Sequence, residues 1–265
     1  MTQAAQKFKK VIRMLSDRQV LVAFSGGVDS STLALLAKKS ARRVVLLVVA
    51  ADTMPQGEVE HAKTVAQELG LECRVVPFDW TSKRELSENS EERCYNCKVQ
   101  LGRLWLDAAE QLGLDVVVEG TTTTEAAGTR PGERALRELG ITSPFLDAGI
   151  TKDEIREYAR TNGLSVADRP SMACLATRFP YGTTITPHML EMVEKVETAV
   201  RQLFGIECVR ARFHDDVVRI EVPPDQMKRM LDRTNLDTLY DVARKAGFKY
   251  AALDLRGYRT GSMDE

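Results

Sequence analysis

The sequence lacks any run of the roughly 18 consecutive apolar residues that a membrane-spanning helix needs, so we expect no contact with a membrane. It also lacks an excess of positive charge: 37 Lys and Arg stand against 38 Asp and Glu, giving a formal net charge of -1. Contacts to nucleic-acid phosphates require a clustered basic surface. The charge balance therefore argues against nucleic acid as the main partner.

Cysteine is also scarce. Five cysteines, an odd number scattered over 265 residues, do not resemble a disulfide framework. The first residues, MTQAAQKFKKVIRML, are basic and amphipathic but contain no apolar core followed by a small-residue cleavage site, which a secretory signal requires. We therefore expect a reduced, cytoplasmic protein.

Strand-like and helix-like segments alternate through the first half of the chain. Two near-continuous apolar, β-branched runs have the composition of strands buried on both faces; they are residues 20–24 and 43–50. Strand-like runs at residues 73–78 and 115–119 complete a set of four. Between them lie segments with apolar residues at helical spacing, namely residues 30–40, 57–69 and 99–112. This alternation predicts an α/β fold with a doubly wound parallel sheet and helices on both faces.

The second half has a different pattern. The sequence TKDE predicts a capping box in which Thr151 and Glu154 start a helix that ends near residue 162. After an irregular stretch, Thr186 and Pro187 predict the start of a long amphipathic helix, and further strands are predicted at 207–214, 217–222 and 249–255. We predict two domains: a larger one at 1–179 and a smaller α/β domain at 180–265.

A glycine loop follows the first predicted strand, in the sequence FSGGVDS. Gly26 and Gly27 allow the backbone to approach a ligand closely, and successive amides before a helix form an anion site. Ser25 and Ser30 add hydroxyl groups, and Asp29 is a candidate magnesium ligand. The alternative is a glycine turn followed by an ordinary Asp/Ser helix cap.

This string resembles the PP-loop signature SGGxDS of the N-type ATP pyrophosphatases. The loop matches neither GxxxxGK[ST] nor GxGxxG. The resemblance implies an adenine nucleotide alpha hydrolase-like fold, ATP and Mg²⁺ as cofactors, and an enzyme that joins AMP to a substrate oxygen while releasing pyrophosphate. The loop contains no lysine, which agrees with a pyrophosphate held by amides and magnesium.

Three cysteines stand apart from the other two. Cys94 and Cys97 form a CxxC pair just before a predicted helix, and Cys174 lies in the irregular stretch PSMACLATR. Three thiolates are the number that holds a [4Fe-4S] cluster with one iron open to sulfide; a zinc site or a redox pair is the alternative reading of the CxxC. Cys73 and Cys208 fall within strand patterns and are predicted to be small buried hydrophobes.

Cys174 has a second candidate role. Arg178 follows it closely and would lower the thiol pKa, so that Cys174 acts as a nucleophile on an adenylated carboxylate. The alternative is a buried structural thiol. The histidines, His61, His188 and His214, are far apart in sequence and are predicted to be surface or hydrogen-bonded residues rather than metal ligands.

Taken together, these motifs resemble the LarE family of sulfur transferases, which make the nickel-pincer nucleotide cofactor of lactate racemase. The resemblance runs nearly end to end and rests on FSGGVDS, RPG, SPF, DRPSMACLATRFPYG, VRARFH and YAALDLRGYRTGSM. It implies adenylation of the carboxylates of pyridinium-3,5-biscarboxylic acid mononucleotide, followed by replacement of AMP with sulfur. It also implies a homo-oligomer, with a hexamer as the candidate state.

The sulfur source differs between members of this family. In one type the cysteine that matches Cys174 gives up its own sulfur and becomes dehydroalanine. The presence of Cys94 and Cys97 favours the other type, in which three cysteines hold a [4Fe-4S] cluster that receives sulfide from a donor and delivers it. PP-loop tRNA thiolases share a similar three-cysteine layout.

The same resemblance assigns Arg210 and Arg212 to the phosphate of the substrate, with weaker support for Arg178 and for Glu197 as a site residue or metal ligand. In a strand, residues 210 and 212 share a face, and arginine suits phosphate through its planar fork. A solvated charged strand face is the alternative for two alternating arginines.

The chain departs from the family after the fourth predicted strand. The family carries GTN-x-DD, whereas this chain has GTTTTEAAGTRPG. Gly120 and Thr121 are kept, and Gly120 is a candidate nucleotide-binding residue, but Thr122, Thr124 and Glu125 replace the amide and acids.

Three other functions remain open from the sequence. An ammonia- or glutamine-dependent synthetase would use the same loop but has no use for the three cysteines. A tRNA thiolase would use the cysteines but should carry a basic surface. A non-enzymatic nucleotide- or zinc-binding module would tolerate replacement of Asp29, which an adenylating enzyme would not.

Overall fold

The computed structural model describes residues 3–124, 131–259 and residue 263. Its α-helices are α1 (Gln3–Leu15), α2 (Val28–Ser40), α3 (Glu58–Leu69), α4 (Arg84–Ser87), α5 (Arg93–Leu112), α6 (Pro131–Glu138), α7 (Pro144–Asp147), α8 (Lys152–Thr161), α9 (Pro187–Phe204) and α10 (Arg233–Ala246). Its strands are β1 (Gln19–Ala23), β2 (Arg43–Ala51), β3 (Glu72–Phe78), β4 (Val116–Val118), β5 (Arg210–His214), β6 (Val217–Glu221) and β7 (Tyr250–Leu253). Short 3₁₀ helices cover Leu175–Arg178 and Pro224–Leu231.

The first four strands form one parallel sheet in the order β3-β2-β1-β4. In its register Leu21 lies between Val45 and Val117, and β1 is buried because strands pair with it on both sides. Helices flank the sheet: α2 contacts β1 and β2, and α5 contacts β1 and β4. The predicted α/β fold with a parallel sheet is confirmed.

The strand order reverses direction at β1, because β2 and β3 extend the sheet on one side of it and β4 extends it on the other. Ligands of open α/β sheets bind beyond the carboxyl ends of the strands at such a switch point. The loops that follow β1 and β4 are therefore the place where this topology positions a ligand.

The remaining strands form a smaller sheet in the order β5-β6-β7, antiparallel between β5 and β6 and parallel between β6 and β7. Helix α9 contacts β5, and α10 contacts α9 and β7. The chain divides into two compact units: one comprises 1–51, 57–78 and 92–171, and the other comprises 52–56, 79–91 and 172–265. The domain boundary between residues 179 and 180 stays a prediction.

Two local predictions were wrong. Helix α5 begins at Arg93 rather than near residue 99, so the CxxC pair lies inside the helix and not before it. The added turn is held by helix α6, since the Tyr95 hydroxyl donates to Glu138 and Arg134 lies 4.1 Å over the Tyr95 ring. Cys208 lies in a bend before β5 rather than in the strand; it is half-buried, and burial raises the pKa of its thiol.

Cys73, the other cysteine predicted to lie in a strand, is part of β3. It is half-buried there, and burial raises the pKa of its thiol. Within the described ranges, every helix is too short or too polar to cross a bilayer.

Candidate functional site

The glycine loop begins where β1 ends. The Phe24 amide donates to the Leu47 carbonyl at 2.9 Å, which extends the pairing with β2 by one residue before the chain turns. Gly26 has φ of +72°, and a Cβ atom there would lie 2.7 Å from Cα of Ala62 in α3. His61 Nε2 lies 3.2 Å from the Gly26 carbonyl oxygen, which agrees with the prediction of a hydrogen-bonded histidine. Only glycine fits this close approach of α3 to the loop.

Hydroxyl groups fix the shape of the loop from within. The hydroxyls of Ser25 and Ser30 lie 3.2 Å apart, and Ser30 Oγ also lies within hydrogen-bond distance of the Ser25 amide and the Gly27 carbonyl, at 3.2 Å each. The Gly27 amide donates to Ser25 Oγ at 3.3 Å. The two serines that the sequence indicated therefore contact each other across the loop and fix its conformation.

The N-terminus of α2 directly follows the loop. Gly27 occupies the N-cap position, and no side chain among the described residues caps the helix there. Uncapped amides at a helix N-terminus carry partial positive charge and bind anions well. The loop thus presents donors at the carboxyl end of β1, as a phosphate site requires.

The loop after β4 lies against the same helix end. A Cβ atom on Gly120 would be 3.2 Å from Cβ of Asp29 and 3.3 Å from the Ser30 amide nitrogen, so Gly120 packs directly on the first turn of α2. Thr122 is fully buried, and its hydroxyl has no hydrogen-bond partner within 3–124 and 131–259. The structure therefore brings the predicted residues Ser25 to Ser30 together with Gly120 at the switch point. Glu125 and Arg130, also singled out by the sequence, lie outside the described residues.

Asp29 has an unexpected partner. Lys152, the first residue of α8, forms an ion pair with Asp29 Oδ2, and each side chain is 21% exposed. The second carboxylate oxygen, Oδ1, is buried and has no partner in the part of the chain that the structure describes. A carboxylate oxygen of this kind is the ligand that Mg²⁺ prefers, so the residue fits the ion.

Sequence reasoning missed Lys152, although the TKDE motif contains it. The predicted capping box is confirmed: the Glu154 amide donates to Thr151 Oγ1, and the Thr151 amide donates to Glu154. The motif was informative about the start of the helix. It did not predict that Lys152, the second residue of the motif, contacts the glycine loop.

Cys94 and Cys97 lie in the first two turns of α5, three residues apart on one helix. Both are free thiols; Cys94 is exposed and Cys97 half-buried. Arg93, which is buried, donates to the Cys94 sulfur at 3.7 Å. Residues three apart in a helix are neighbours on its surface, so both sulfurs belong to one face.

Cys174 lies in the other unit, immediately before the short 3₁₀ helix Leu175–Arg178. Its free thiol is exposed, so the alternative of a buried structural thiol is wrong. The Leu175 amide donates to the Thr53 carbonyl at 2.8 Å, and Thr177 Oγ1 donates to the Cys174 carbonyl at 2.8 Å. The cysteine is thus presented on a short turn whose backbone is hydrogen-bonded on both sides.

Arg178 is fully buried and braces this turn. Its Nε and Nη2 donate to the two carboxylate oxygens of Glu197 at 2.7 and 3.1 Å. Nη1 donates to the carbonyls of Ala173 and Cys174 and to the Thr177 hydroxyl. The guanidinium therefore contacts the backbone of Cys174, and in the described residues it makes no hydrogen bond to the thiol.

Glu197, on α9, is fully buried beside this arginine. Burial opposes its ionisation, but the charge and hydrogen bonds of Arg178 outweigh burial, and the pKa of Glu197 is lowered. The Ala211 amide of β5 donates to the same carboxylate at 3.0 Å. Glu197 therefore ties α9, the turn and the first strand of the small sheet together.

Arg210 and Arg212 alternate along β5 as predicted, but their strand face is buried rather than solvated. Arg212 donates to Glu221 through Nε and Nη2 and to the Thr177 carbonyl through Nη1, at 2.8 to 3.0 Å. Arg210 lies 5.0 Å over the Tyr258 ring; burial lowers its pKa, and repulsion from Arg178 lowers it further. Three arginines are gathered in this unit with carboxylates that neutralise part of their charge.

A metal cluster was also predicted, at Cys94, Cys97 and Cys174. The thiolates of Cys94, Cys97 and Cys174 are of the ligand type that iron–sulfur clusters require. Across residues 3–124, 131–259 and 263, however, no group of three or more His, Cys, Asp or Glu side chains lies close enough to hold a metal ion. The predicted cluster at Cys94, Cys97 and Cys174 stays a prediction.

Comparisons with known proteins agree with this geometry. A family model described as a PP-loop domain matches residues 1–101, the part that contains the glycine loop. The chain is 31% identical over 271 residues to the pyridinium-3,5-bisthiocarboxylic acid mononucleotide synthase of Lactiplantibacillus plantarum, covering 100% of this chain and 96% of that protein. It is 34% identical over 248 residues to an uncharacterized protein of Synechocystis sp., covering 93% and 92%.

A more distant match is a glutamine-hydrolyzing GMP synthase component of Methanopyrus kandleri, 24% identical over 217 residues, with 74% of this chain and 67% of that protein covered. The fold and the loop define a PP-loop enzyme that uses ATP. Within that class, the full-length match shows that the chain belongs to the LarE family of ATP-dependent sulfurtransferases.

Proposed function

We propose that this enzyme uses ATP to adenylate the carboxylates of pyridinium-3,5-biscarboxylic acid mononucleotide and replaces AMP with sulfur, which forms the bis-thiocarboxylate precursor of the nickel-pincer nucleotide. The observation that carries the proposal is the 31% identity, over the whole chain, to a synthase named for that product. The uncapped N-terminus of α2 behind the glycine loop supports the ATP half of the reaction.

The adenylation step uses residues of the loop. A substrate carboxylate oxygen attacks the α-phosphorus of ATP, the bond to the bridging oxygen breaks, and pyrophosphate leaves. The amides that follow Gly27 hold phosphate oxygens, and the hydroxyls of Ser25 and Ser30 fix the conformation of the loop. Asp29 has an unpaired carboxylate oxygen, Oδ1, and would hold Mg²⁺ there; when bound, the ion would supply positive charge beside the pyrophosphate.

The sulfur step follows on the acyl adenylate. A sulfur nucleophile attacks the carbonyl carbon, the carbon–oxygen bond to AMP breaks, and AMP leaves with the electron pair. Arg210, Arg212 and Arg178 are proposed to meet the phosphate of the mononucleotide, since a planar guanidinium suits that group. Cys174 is proposed to take part in the transfer, because its thiol is exposed on the braced turn and is accessible to an adenylate.

For the sulfur source we propose a [4Fe-4S] cluster held by Cys94, Cys97 and Cys174 and supplied by a sulfide donor. When bound, such a group would supply transferable sulfide without consuming the enzyme. The two thiols on one face of α5 support this proposal. The exposed thiol of Cys174 favours a second candidate, in which that cysteine donates its own sulfur and becomes dehydroalanine.

One experiment separates the two sources. Protein purified without oxygen is incubated with ATP, Mg²⁺ and the mononucleotide, and its iron content, its intact mass and the mass of the product are measured. About four irons per chain, repeated turnover on added sulfide and an unchanged protein mass support the cluster. Loss of hydrogen sulfide from Cys174 in iron-free protein after one turnover supports the second candidate.

Cysteine variants supply the controls. Cys94→Ser stops turnover only by the cluster route, Cys174→Ser stops it by either route, and Cys73→Ser, outside both, leaves it unchanged. Absence of any thiocarboxylate product, with AMP formed from another acceptor, would overturn the proposed substrate. A homo-oligomeric assembly and a cytoplasmic location belong to the same proposal and are tested by light scattering and by fractionation of cells.

A further inference from the structure

The glycine loop contains one peptide group that has glycine on both sides, the one between Gly26 and Gly27. A trans peptide group is planar, and its carbonyl and amide point in opposite directions. It turns over as a unit when the ψ angle before it and the φ angle after it change together. Glycine adopts positive and negative φ about equally, so the backbone itself offers little resistance to such a flip here. Another group must fix the orientation of this peptide group.

The observed orientation directs the amide into the loop and the carbonyl out of it. The Gly27 amide donates to Ser25 Oγ at 3.3 Å, and the Gly26 carbonyl oxygen faces α3. A flip would break the bond to Ser25 and direct the oxygen, which carries partial negative charge, toward the serine hydroxyls and the N-terminus of α2. An oxygen there opposes the binding of an anion at the same helix end. The anion site therefore depends on the orientation of this one peptide group.

His61 of α3 is the partner that holds the carbonyl outward. Its Nε2 lies 3.2 Å from the Gly26 oxygen, and because a carbonyl oxygen only accepts, Nε2 carries the proton and donates. Within residues 3–124 and 131–259, this carbonyl has no other hydrogen-bond donor. The next carbonyl along the chain, that of Gly27, accepts from the Ser31 amide at 3.0 Å as part of the first turn of α2. The helix thus fixes one carbonyl, and a single side chain fixes the other.

Contacts at the start of α3 keep His61 in place. Glu58 pairs with Arg169 through both terminal nitrogens of the guanidinium, at 2.6 and 3.0 Å, and the two side chains are 11% and 27% exposed. Ala62 lies so close to the loop that a Cβ atom on Gly26 would be 2.7 Å from its Cα. The imidazole is therefore attached to a helix that is anchored on both sides of it. It would stay where it is if the peptide group turned over.

We propose that His61 is a positioning residue of the ATP site: its Nε2–H group holds the Gly26 carbonyl toward α3 and so keeps the peptide group in the orientation that binds the β- and γ-phosphates of ATP. The proposal rests on the ATP half of the proposed function and adds a residue from outside the loop. His61 acts through the backbone and does not itself contact the phosphates. Without its hydrogen bond, part of the free enzyme has the flipped peptide group, and the apparent affinity for ATP falls by the fraction that is flipped.

The test measures binding without turnover. Titration calorimetry in Mg²⁺ compares α,β-methylene ATP, which cannot release pyrophosphate, with AMP, which lacks the β- and γ-phosphates. His61→Phe keeps a ring beside Gly26 but has no donor. It should weaken binding of the analogue about 3-fold to 10-fold, as the loss of one neutral hydrogen bond does, and leave AMP unchanged. His61→Gln has an N–H donor at a similar reach and should recover most of the loss.

Thr64→Val is the matched control. The Thr64 hydroxyl donates to the Glu60 carbonyl at 3.0 Å within the same helix, so the Thr64→Val variant should bind both nucleotides as the wild type does. Thermal unfolding verifies that each variant is folded, and His61→Leu replaces His61→Phe if the larger ring prevents folding.

Three results would overturn the proposal while the wild type binds the analogue: unchanged or tighter binding by His61→Phe, equal losses for the analogue and AMP, or a loss in His61→Gln as large as that in His61→Phe. A wild type that does not bind the analogue would contradict the proposed use of ATP and this proposal with it. The two failures are therefore distinguished by the wild-type titration alone.

Discussion

The two candidate phosphate sites of this molecule differ in whether their polar groups are already hydrogen-bonded within the protein. At the glycine loop, the N-terminus of α2 is uncapped and Asp29 Oδ1 has no partner among the described residues; the Thr122 hydroxyl, in the loop after β4, also has none there. The second site is the arginine cluster, formed by Arg178, Arg210 and Arg212. In it, every side-chain nitrogen of Arg178 donates to Glu197 or to the turn at Cys174, and Arg212 donates to Glu221 and Thr177.

This difference separates a site with unpaired polar groups from one whose polar groups are paired within the protein. Groups left unsatisfied inside a protein cost stability and persist where a ligand completes them. Fully paired arginines, in contrast, position the segment to which they are bonded. A phosphate that enters the cluster must therefore exchange with a carboxylate or a carbonyl, whereas one that enters the loop meets a helix N-terminus that no described side chain caps.

Removal of the buried carboxylate should have the largest effect. Glu197→Ala leaves Arg178 buried without its partner, so the free energy of unfolding should fall by about 3–5 kcal/mol in urea titration. Glu191→Ala is the control on the same helix: Glu191 pairs with Lys195 at 3.3 Å, with both side chains more than half exposed, and should cost less than about 0.5 kcal/mol. Equal costs would mean that the cluster is not a structural brace.

Pyrophosphate should distinguish the two sites directly. At about 100 times its Kd, a ligand that binds only the folded state stabilises it by about 2.7 kcal/mol. We expect this shift in thermal unfolding for the wild type and for Arg212→Lys, and its loss in Gly26→Ala, each compared with the same variant without ligand. Retention in Gly26→Ala with loss in Arg212→Lys would reverse the comparison.

The loop backbone gives a smaller effect with its own control. Gly26 and Gly57 both have positive φ, +72° and +85°, but only Gly26 faces a neighbour, since no described atom lies within 4 Å of a Cβ built at Gly57. Gly57→Ala should lose about 1–2 kcal/mol from the left-handed backbone alone. Gly26→Ala should lose more in chemical denaturation, because α3 must also move. Equal losses of unfolding free energy in the two variants would show that α3 shifts without an energetic cost.

Low pH should weaken the ion pair between Glu197 and Arg178 in the arginine cluster. The pKa of Glu197 is lowered in the folded protein, so its contribution is complete above the ordinary glutamate value and is lost as pH falls through the lowered value. The difference in unfolding free energy between the wild type and Glu197→Gln should therefore shrink below about pH 4, by at most about 1.4 kcal/mol per pH unit for one proton. A constant difference across this range would contradict the assigned ionisation.

Local patterns predicted the local parts of the structure. The four strands of the parallel sheet, the glycine loop and the capping box at Thr151 each depend on residues a few positions apart, and the structure has them where they were expected, although β3 is mostly exposed. The length of α5 was missed because its first turn is held by contacts with α6 rather than by helical periodicity.

The sequence could not predict which side chains pair between distant segments. The ion pair between Lys152 and Asp29 joins residues 123 positions apart; the sequence indicated Asp29 as a magnesium ligand and Lys152 only as a first-turn residue of a helix. Arg178 was recognised as a site residue, but its bidentate contact with Glu197 depends on how α9 packs against the turn. A single sequence carries no signal for such packing.

The position of β4 has a consequence for how the chain can be divided. The segment matched as a PP-loop domain ends at residue 101, but β1 pairs with β4 at residues 116–118, and Gly120 and Lys152 lie further on. A fragment that ended at the matched boundary would expose the unpaired edge of its central strand, which invites aggregation. Grafting or minimising this nucleotide-binding module therefore requires the chain through α8, whatever a domain boundary drawn from homology suggests.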